Sequence, residues 1–245
     1  MLRDLDGVES CRWPAYPART KMKKQSLKIA IGSHIHSALA RIGMDLVRVG
    51  DGSHLQEIRR SMRHGMLLNV CEASQITDTA KATEKIPGDL AEIGVYRGGS
   101  AKLICGVKGT RPLHLFDTFE GLPSPTREDG LSRFWSNQFQ SQIDGVREYL
   151  KPYPQVFLYK GLFPATAYPI QDRKFSFVHI DVDLHDSTAA SLRWFYPRMS
   201  PSGIIMCHDY SNAAGVRKAV DDFFADKPEV VIQQPAGSHC LIVKA

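Results

Sequence analysis

The chain has 245 residues, of which 43% are hydrophobic and 23% charged, the ordinary composition of a folded globular protein. Its net charge is +5, but much of the excess lies in the first thirty residues and no basic stripe interleaved with aromatics follows, which argues against a nucleic-acid partner. No apolar run approaches the roughly 18 residues that span a bilayer, and the N-terminus lacks a signal-peptide pattern, so the sequence predicts no transmembrane segment and a cytoplasmic location.

The first 85 residues divide into two parts. Residues 1–25 are polar and basic, which predicts a flexible segment, and residues 26–85 carry apolar side chains at helical intervals. These intervals predict amphipathic helices over Ser26–Leu46, His54–His64 and Glu72–Lys85, forming a helical cap or substrate-binding region. Ser26–Leu46 could instead bind a partner or a membrane surface, or cover a neighbouring subunit of a homo-oligomer.

Residues 86–245 show a different pattern, in which short apolar runs alternate with helical stretches. This alternation predicts an α/β domain with a Rossmann-like, doubly wound parallel sheet. The last two runs are separated by too few residues for a parallel crossover and should form an antiparallel hairpin. The predicted strands are Asp89–Val95, Pro112–Phe116, Val156–Tyr159, Phe175–Ile180, Gly203–Cys207, Val230–Gln233 and Cys240–Lys244.

A glycine-rich turn follows the first predicted strand. Gly94, Gly98 and Gly99 would let the backbone approach a ligand, and the helix that follows offers free N–H groups to a carboxylate or phosphate. The second strand ends at Asp117, whose carboxylate could accept hydrogen bonds from ribose hydroxyls. Packing alone could explain the glycines, and Asp117 could cap the next turn, but the combination favours a nucleoside-containing ligand.

Two further strands end in acidic clusters. Asp181 and Asp183 follow the fourth run, and His208 and Asp209 follow the fifth. The carboxyl ends of parallel strands meet at one edge of the sheet, so these side chains should line one crevice that could hold a cation and a proton acceptor. Asp183 could alternatively cap the following helix.

These motifs together resemble the macrocin O-methyltransferase family of class I S-adenosylmethionine-dependent enzymes, from about Glu72 to Lys244. The resemblance rests on Ala91–Ser100, Phe116–Pro123, Asp181–Thr188 and His208–Tyr210. It implies a seven-stranded methyltransferase sheet with methionine at the glycine turn, ribose at Asp117 and adenine near the loop after Lys160. The implied S-adenosylmethionine contacts are Glu92, Gly94, Tyr96, Arg97, Gly98, Ser100, Asp117, Thr118, Gly161 and Asp181.

The resemblance also implies a magnesium site at Asp181, His208 and Asp209. Family members generally hold the ion with three acids, whereas this chain has histidine at the first position of the second pair. Because imidazole is a poor magnesium ligand, three outcomes stay open. Magnesium could be held weakly by Asp181 and Asp209, another divalent ion could use His208, or no metal binds and His208 is the base.

The resemblance therefore implies methyl transfer to a hydroxyl of a small molecule, in this family a sugar of a glycosylated natural product or glycan. Asp181 or His208 would accept the hydroxyl proton, and an imidazole that is neutral near pH 7 suits that role. A phenolic or lipid-linked glycan acceptor would satisfy the same chemistry. Two alternatives are an NAD-linked sugar dehydrogenase or epimerase, which the missing GxGxxG pattern weakens, and a non-catalytic scaffold that retains the fold.

Overall fold

A computed structural model describes residues 52–130 and 133–245. The predicted helix Ser26–Leu46 and the predicted flexible segment lie outside these residues. Two helices, α1 (Gly52–Arg63) and α2 (Val70–Ala82), precede the sheet and confirm the two other predicted N-terminal helices. Asn69 caps α2 by accepting a hydrogen bond from the Glu72 backbone N–H, while the Glu72 side chain accepts one from the Asn69 N–H.

One seven-stranded sheet forms the centre of the molecule, in the order β3-β2-β1-β4-β5-β7-β6. Strands β1 to β5 are parallel, β7 pairs antiparallel with β5, and β6 pairs antiparallel with β7, so the predicted sheet and final hairpin are confirmed. The order reverses between β1 and β4, which opens a crevice there. The strands are β1 (Asp89–Ile93), β2 (Leu113–Asp117), β3 (Val156–Lys160), β4 (Phe175–Ile180), β5 (Met199–Cys207), β6 (Ile232–Gln233) and β7 (Cys240–Val243).

β5 differs from the prediction, because it begins at Met199 rather than at Gly203. Pro201 and Ser202 break the apolar run, but an irregular register between Phe175 and Phe177 of β4 accommodates the extra residues. The sequence pattern does not reveal such a bulge, since the exposed Pro201 and Ser202 interrupt the apolar run.

Helices cover both faces of the sheet. The helices that follow the first strands are α3 (Gly99–Val107), α4 (Ile143–Leu150), α5 (His185–Phe195) and α6 (Ala214–Phe224). Side chains of α1 to α4 pack in one buried apolar cluster with β1, β2 and β4, and those of α5 and α6 pack in a second cluster on the opposite face. Among the described residues, no helix combines the length and the apolar character needed to cross a membrane.

Gly94 fixes the distance between the ends of β1 and β4. Its φ is +87°, and a Cβ atom added there would lie 1.7 Å from the carbonyl oxygen of Asp181. The Asp181 N–H in turn donates to the Ile93 carbonyl at 2.8 Å. Backbone packing between the two strands therefore requires glycine at this position, because any other residue would occupy the space of the Asp181 carbonyl.

Gly94→Ala should lower the free energy of unfolding by at least about 2 kcal/mol, because the new methyl group must displace Asp181 and alanine disfavours a positive φ. The matched control is Gly106→Ala in α3, where an added Cβ meets nothing within 4 Å. That change should be neutral or stabilising by up to about 1 kcal/mol. Urea denaturation compares the two variants, and equal stability of both would contradict the packing role of Gly94.

Candidate active site

A cavity of about 310 Å³ opens where the strand order reverses. This volume is at the lower end of the roughly 300–1,000 Å³ typical of ligand-binding sites. Its walls come from the glycine turn, the end of β2, the loop after β2, the loop after β3, and the ends of β4 and β5. The cavity thus joins the two features that the sequence singles out, the glycine turn with Asp117 and the acidic strand ends.

Asp117 anchors the glycine turn. One carboxylate oxygen accepts hydrogen bonds from the backbone N–H groups of Val95 and Tyr96, at 2.8 and 2.7 Å. The other accepts one from the Phe119 N–H at 2.7 Å. Asp117 therefore caps the following turn, the alternative left open by the sequence, and it also lines the cavity. Of the roughly four lone-pair sites of a carboxylate, about one stays available to a ligand hydroxyl.

The structure brings most of the predicted cofactor contacts to the cavity wall, but not all. Glu92 is fully buried, and its Oε1 lies 2.8 Å from Nδ1 of the equally buried His179. Arg97 stacks over the Tyr96 ring, and Gly98 packs against Val146 of α4. Glu92, Arg97 and Gly98 are therefore not cavity residues. The predicted contacts that do line the cavity are Gly94, Tyr96, Ser100, Asp117, Thr118, Gly161 and Asp181.

Asp181, His208 and Asp209 converge as predicted. The His208 N–H donates to the Ile180 carbonyl at 2.9 Å, which holds the end of β5 against the end of β4. His208 Nδ1 lies 2.9 Å from Asp181 Oδ1 and 3.4 Å from Asp209 Oδ1. One potential ligand atom from each of the three residues lies within 4.8 Å of the others, so the cluster has the dimensions of a metal site.

Glu72 is a member of this cluster that the sequence did not reveal. Its Oε1 lies 3.5 Å from His208 Nε2 and accepts hydrogen bonds from the N–H and the hydroxyl of Ser238, both at 2.9 Å. The Asn69-x-x-Glu72 spacing correctly indicates a helix cap, but a capping pattern carries no information about the second carboxylate oxygen. The site therefore draws one carboxylate from α2, outside the sheet.

Asp183 also belongs to the site rather than to the helix cap considered from the sequence. α5 begins at His185 with Leu184 as its cap, and Asp183 has a φ of +62° that turns it back into the cavity. Burial, together with the charge of Asp181 and a hydrogen bond with Asp209, raises the pKa of Asp183 well above its ordinary value. Asp183 thus favours the neutral carboxyl form, which can donate to Asp209.

The carboxylates determine the charge of His208. Burial alone lowers the pKa of this imidazole, but Asp181, Asp209 and Glu72 outweigh it and raise the pKa far above its ordinary value. Burial raises the pKa of Glu72 and Asp209, but the neighbouring His208 outweighs this effect and lowers both. Without a metal ion, the surrounding carboxylates therefore favour the imidazolium form of His208 over the neutral form expected from the sequence.

Residues of the loop after β2 line the cavity. Phe134 and Phe139 line the cavity, and the Ser141 hydroxyl donates to the Tyr96 carbonyl at 2.6 Å. Arg133 reaches from the same loop to Asp209 Oδ1 at 2.9 Å, although more than half of its side chain is exposed. Arg133 thus contacts the acidic cluster, and the polar sequence around it did not predict this contact.

The strand order, the final hairpin and the position of the cavity define the Rossmann-like fold of class I methyltransferases. Residues 68–235 match the macrocin O-methyltransferase (TylF) family, and the chain belongs to this family. The family named from the sequence motifs is thereby confirmed.

Curated relatives are O-methyltransferases of Streptomyces and Micromonospora species. The chain is 30% identical over 154 residues to the 8-demethyl-8-(2,3-dimethoxy-alpha-L-rhamnosyl)-tetracenomycin-C 4'-O-methyltransferase of Streptomyces olivaceus, covering 56% of this chain and 58% of that protein. It is 29% identical over 156 residues to the demethyldecarbamoylnovobiocin O-methyltransferase of Streptomyces niveus, covering 57% and 59%. The match thus spans less than two thirds of the length of either relative.

Solved structures support the fold. The O-methyltransferase NovP superposes with a TM-score of 0.61 at 23% identity, covering 72% of this chain and 81% of that one. The calicheamicin methyltransferase CalS11 superposes with a TM-score of 0.63 at 16% identity, covering 82% and 98%. At these identities the likeness concerns the fold.

In chelator-treated protein, we expect the His208 imidazole to stay doubly protonated from about pH 6 to about pH 9, because three carboxylates surround it. His239 provides an internal contrast, since burial and the neighbouring His179 and His208 lower its pKa to about 2 and keep it neutral. Long-range ¹H–¹⁵N correlation spectra report both states, and His208→Gln assigns the signal. Titration of His208 near pH 6.5 would contradict the charge assignment.

Proposed function

We propose that this protein is an S-adenosylmethionine-dependent O-methyltransferase. The observation that carries this function is one cavity that joins the glycine turn and Asp117 to Asp181, His208 and Asp209. A nucleoside cofactor at the first group and a hydroxyl acceptor at the second would share that cavity, as an in-line transfer between them requires. Family membership supports the same activity.

The acceptor we propose is a sugar hydroxyl of a glycosylated natural product or glycan. The Streptomyces olivaceus relative is named for 4'-O-methylation of a rhamnosyl tetracenomycin, and a Micromonospora griseorubida relative for 3''-O-methylation of mycinamicin III. The aromatic rings of Phe134 and Phe139 at the cavity would pack against the apolar face of a sugar or its aglycone. The cytoplasmic location and the homo-oligomer stay predictions.

A divalent ion held by Asp181, His208 and Asp209 is part of this proposal. His208 Nδ1 is buried and has no well-aligned hydrogen-bond partner, although two carboxylates face it. A cation would satisfy this nitrogen and both acids, so the residues fit a metal ion. When bound, the ion would lower the pKa of the acceptor hydroxyl and orient it.

Residues of the cavity would bind the cofactor and accept the proton of the acceptor hydroxyl. Ser100 and the turn at Gly94 would bind the methionine part of the cofactor, and Asp117 would hold its ribose. When bound, the cofactor would supply an activated sulfonium methyl group: the acceptor oxygen would bond to its carbon as the carbon–sulfur bond breaks, and the electron pair of that bond would leave with S-adenosylhomocysteine. Asp181 accepts the hydroxyl proton, because His208 Nδ1 is occupied either by a proton or by the ion.

The two alternatives from the sequence predict different measurements. An NAD-linked dehydrogenase is not favoured, because the matched family and the curated relatives are methyltransferases. A scaffold that retains the fold would bind the cofactor without turnover. Cofactor binding therefore separates the methyltransferase from the dehydrogenase, and turnover separates it from the scaffold.

Calorimetry should show binding of S-adenosylhomocysteine and none of NAD⁺. Asp117→Asn should weaken S-adenosylhomocysteine binding roughly 10–100-fold, because the amide cannot accept all the backbone hydrogen bonds that order the turn. Asp226→Asn is the matched control, since Asp226 is exposed and outside the cavity. Tight binding of NAD⁺, or an unaffected Asp117→Asn variant, would contradict the assignment.

Asp209→Asn should lower turnover at least about 100-fold, because it removes a charged ligand and the partner of Arg133. S-adenosylhomocysteine affinity should change less than about threefold, since Asp209 belongs to the acceptor side of the cavity. Methylation of glycosylated macrolides and anthracyclic glycosides, followed by mass spectrometry, measures turnover. Asp186→Asn, an exposed acid on α5, is the control. Normal turnover of Asp209→Asn would remove the proposed site.

A further inference from the structure

The two ring nitrogens of His208 face different surroundings. Nδ1 is directed to Asp181 and Asp209, at 2.9 and 3.4 Å, whereas Nε2 lies 3.5 Å from Glu72. A metal-binding histidine commonly directs its second nitrogen to a carboxylate, which fixes the tautomer and the orientation of the ring. The arrangement of Glu72, His208 and the two aspartates has this form.

Glu72 is itself held firmly. Its Oε2 accepts the N–H of Asn69, and its Oε1 accepts both the N–H and the hydroxyl of Ser238. The Ser238 hydroxyl also accepts the N–H of Asp209 at 3.2 Å, so the same network reaches the backbone of a site residue. Glu72 is only 7% exposed and has few alternative positions. A carboxylate fixed in this way is suited to orient a ligand rather than to react.

The donor set determines which ion fits. One imidazole nitrogen with two carboxylates suits first-row transition-metal ions such as zinc, cobalt, nickel and iron. Magnesium prefers oxygen ligands in near-octahedral geometry, and here Nδ1 occupies the place of an oxygen.

We propose that Glu72 is a positioning residue that directs His208 Nδ1 to a transition-metal ion bound with Asp181 and Asp209, in preference to magnesium. This inference rests on the proposed function, because it names the ion at the same site. Glu72 touches neither the ion nor the substrate and acts through His208.

Calorimetry of chelator-treated full-length protein with Co²⁺ alone and with Mg²⁺ alone tests this proposal. Wild-type protein should bind Co²⁺ at least about 100-fold more tightly than Mg²⁺. Glu72→Gln should weaken Co²⁺ binding roughly 10–100-fold, and the visible absorption of bound Co²⁺ should change as the nitrogen ligand loses its orientation. Glu57→Gln is the matched control, because Glu57 pairs with Lys102 on α3, away from the cavity.

The His208→Asp variant tests whether Glu72 acts by orienting His208 or only by stabilising the fold. This variant should bind Mg²⁺ more tightly and Co²⁺ more weakly than wild type, and adding Glu72→Gln to it should change Co²⁺ affinity less than about threefold. Thermal unfolding of Glu72→Gln verifies that the fold persists. Equal affinity of wild type for both ions, unchanged Co²⁺ binding by Glu72→Gln, or an equal effect of Glu72→Gln in both backgrounds would overturn the inference.

The proposed function and this inference fail separately. If S-adenosylhomocysteine binds and transfer occurs while Co²⁺ shows no preference, the role of Glu72 is wrong and the methyltransferase assignment stands. If Co²⁺ binds as expected but the cofactor does not, the metal site stands and the assignment fails.

Discussion

The burial of several carboxylates around one imidazole is the interaction on which this site depends. Asp181, Asp209 and Glu72 would repel one another if they were ionised together in a cavity without a cation. His208 supplies the compensating charge in the metal-free protein, which is why its pKa rises while those of Glu72 and Asp209 fall. The cluster is thus stabilised as an ion-pair network, and the proposed metal ion would take the place of the His208 proton.

This network also explains why elements outside the parallel sheet belong to the functional unit. Glu72 lies on α2, and Ser238 lies in the hairpin between β6 and β7. Their hydrogen bonds connect a helix that precedes the sheet to the last hairpin of the chain, across 166 residues of sequence. The N-terminal helices therefore contribute chemistry to the site in addition to covering the sheet.

The sequence predicted the sheet well because its strands are short runs rich in apolar residues, and the central strands β1 and β4 are buried throughout. It located Asp181, His208 and Asp209 for the same reason, since strand ends meet at one edge of a parallel sheet. Glu72 could not be found in this way, because its Oε1 contacts His208 and Ser238, which are distant in the sequence. Glu92 does not line the cavity, because its side chain is directed to His179 in the core, and a turn motif does not reveal that orientation.

The contact between Gly94 and the Asp181 carbonyl couples the glycine turn, at one end of the cavity, to the end of β4 at the other. Because Gly94 has no side chain, the backbone of the glycine turn packs directly against the backbone of Asp181 at the end of β4. A displacement of the turn is consequently transmitted to Asp181 almost undiminished. An attempt to enlarge the cofactor end for a bulkier sulfonium donor would therefore shift the acid at the acceptor end, and both must be redesigned together.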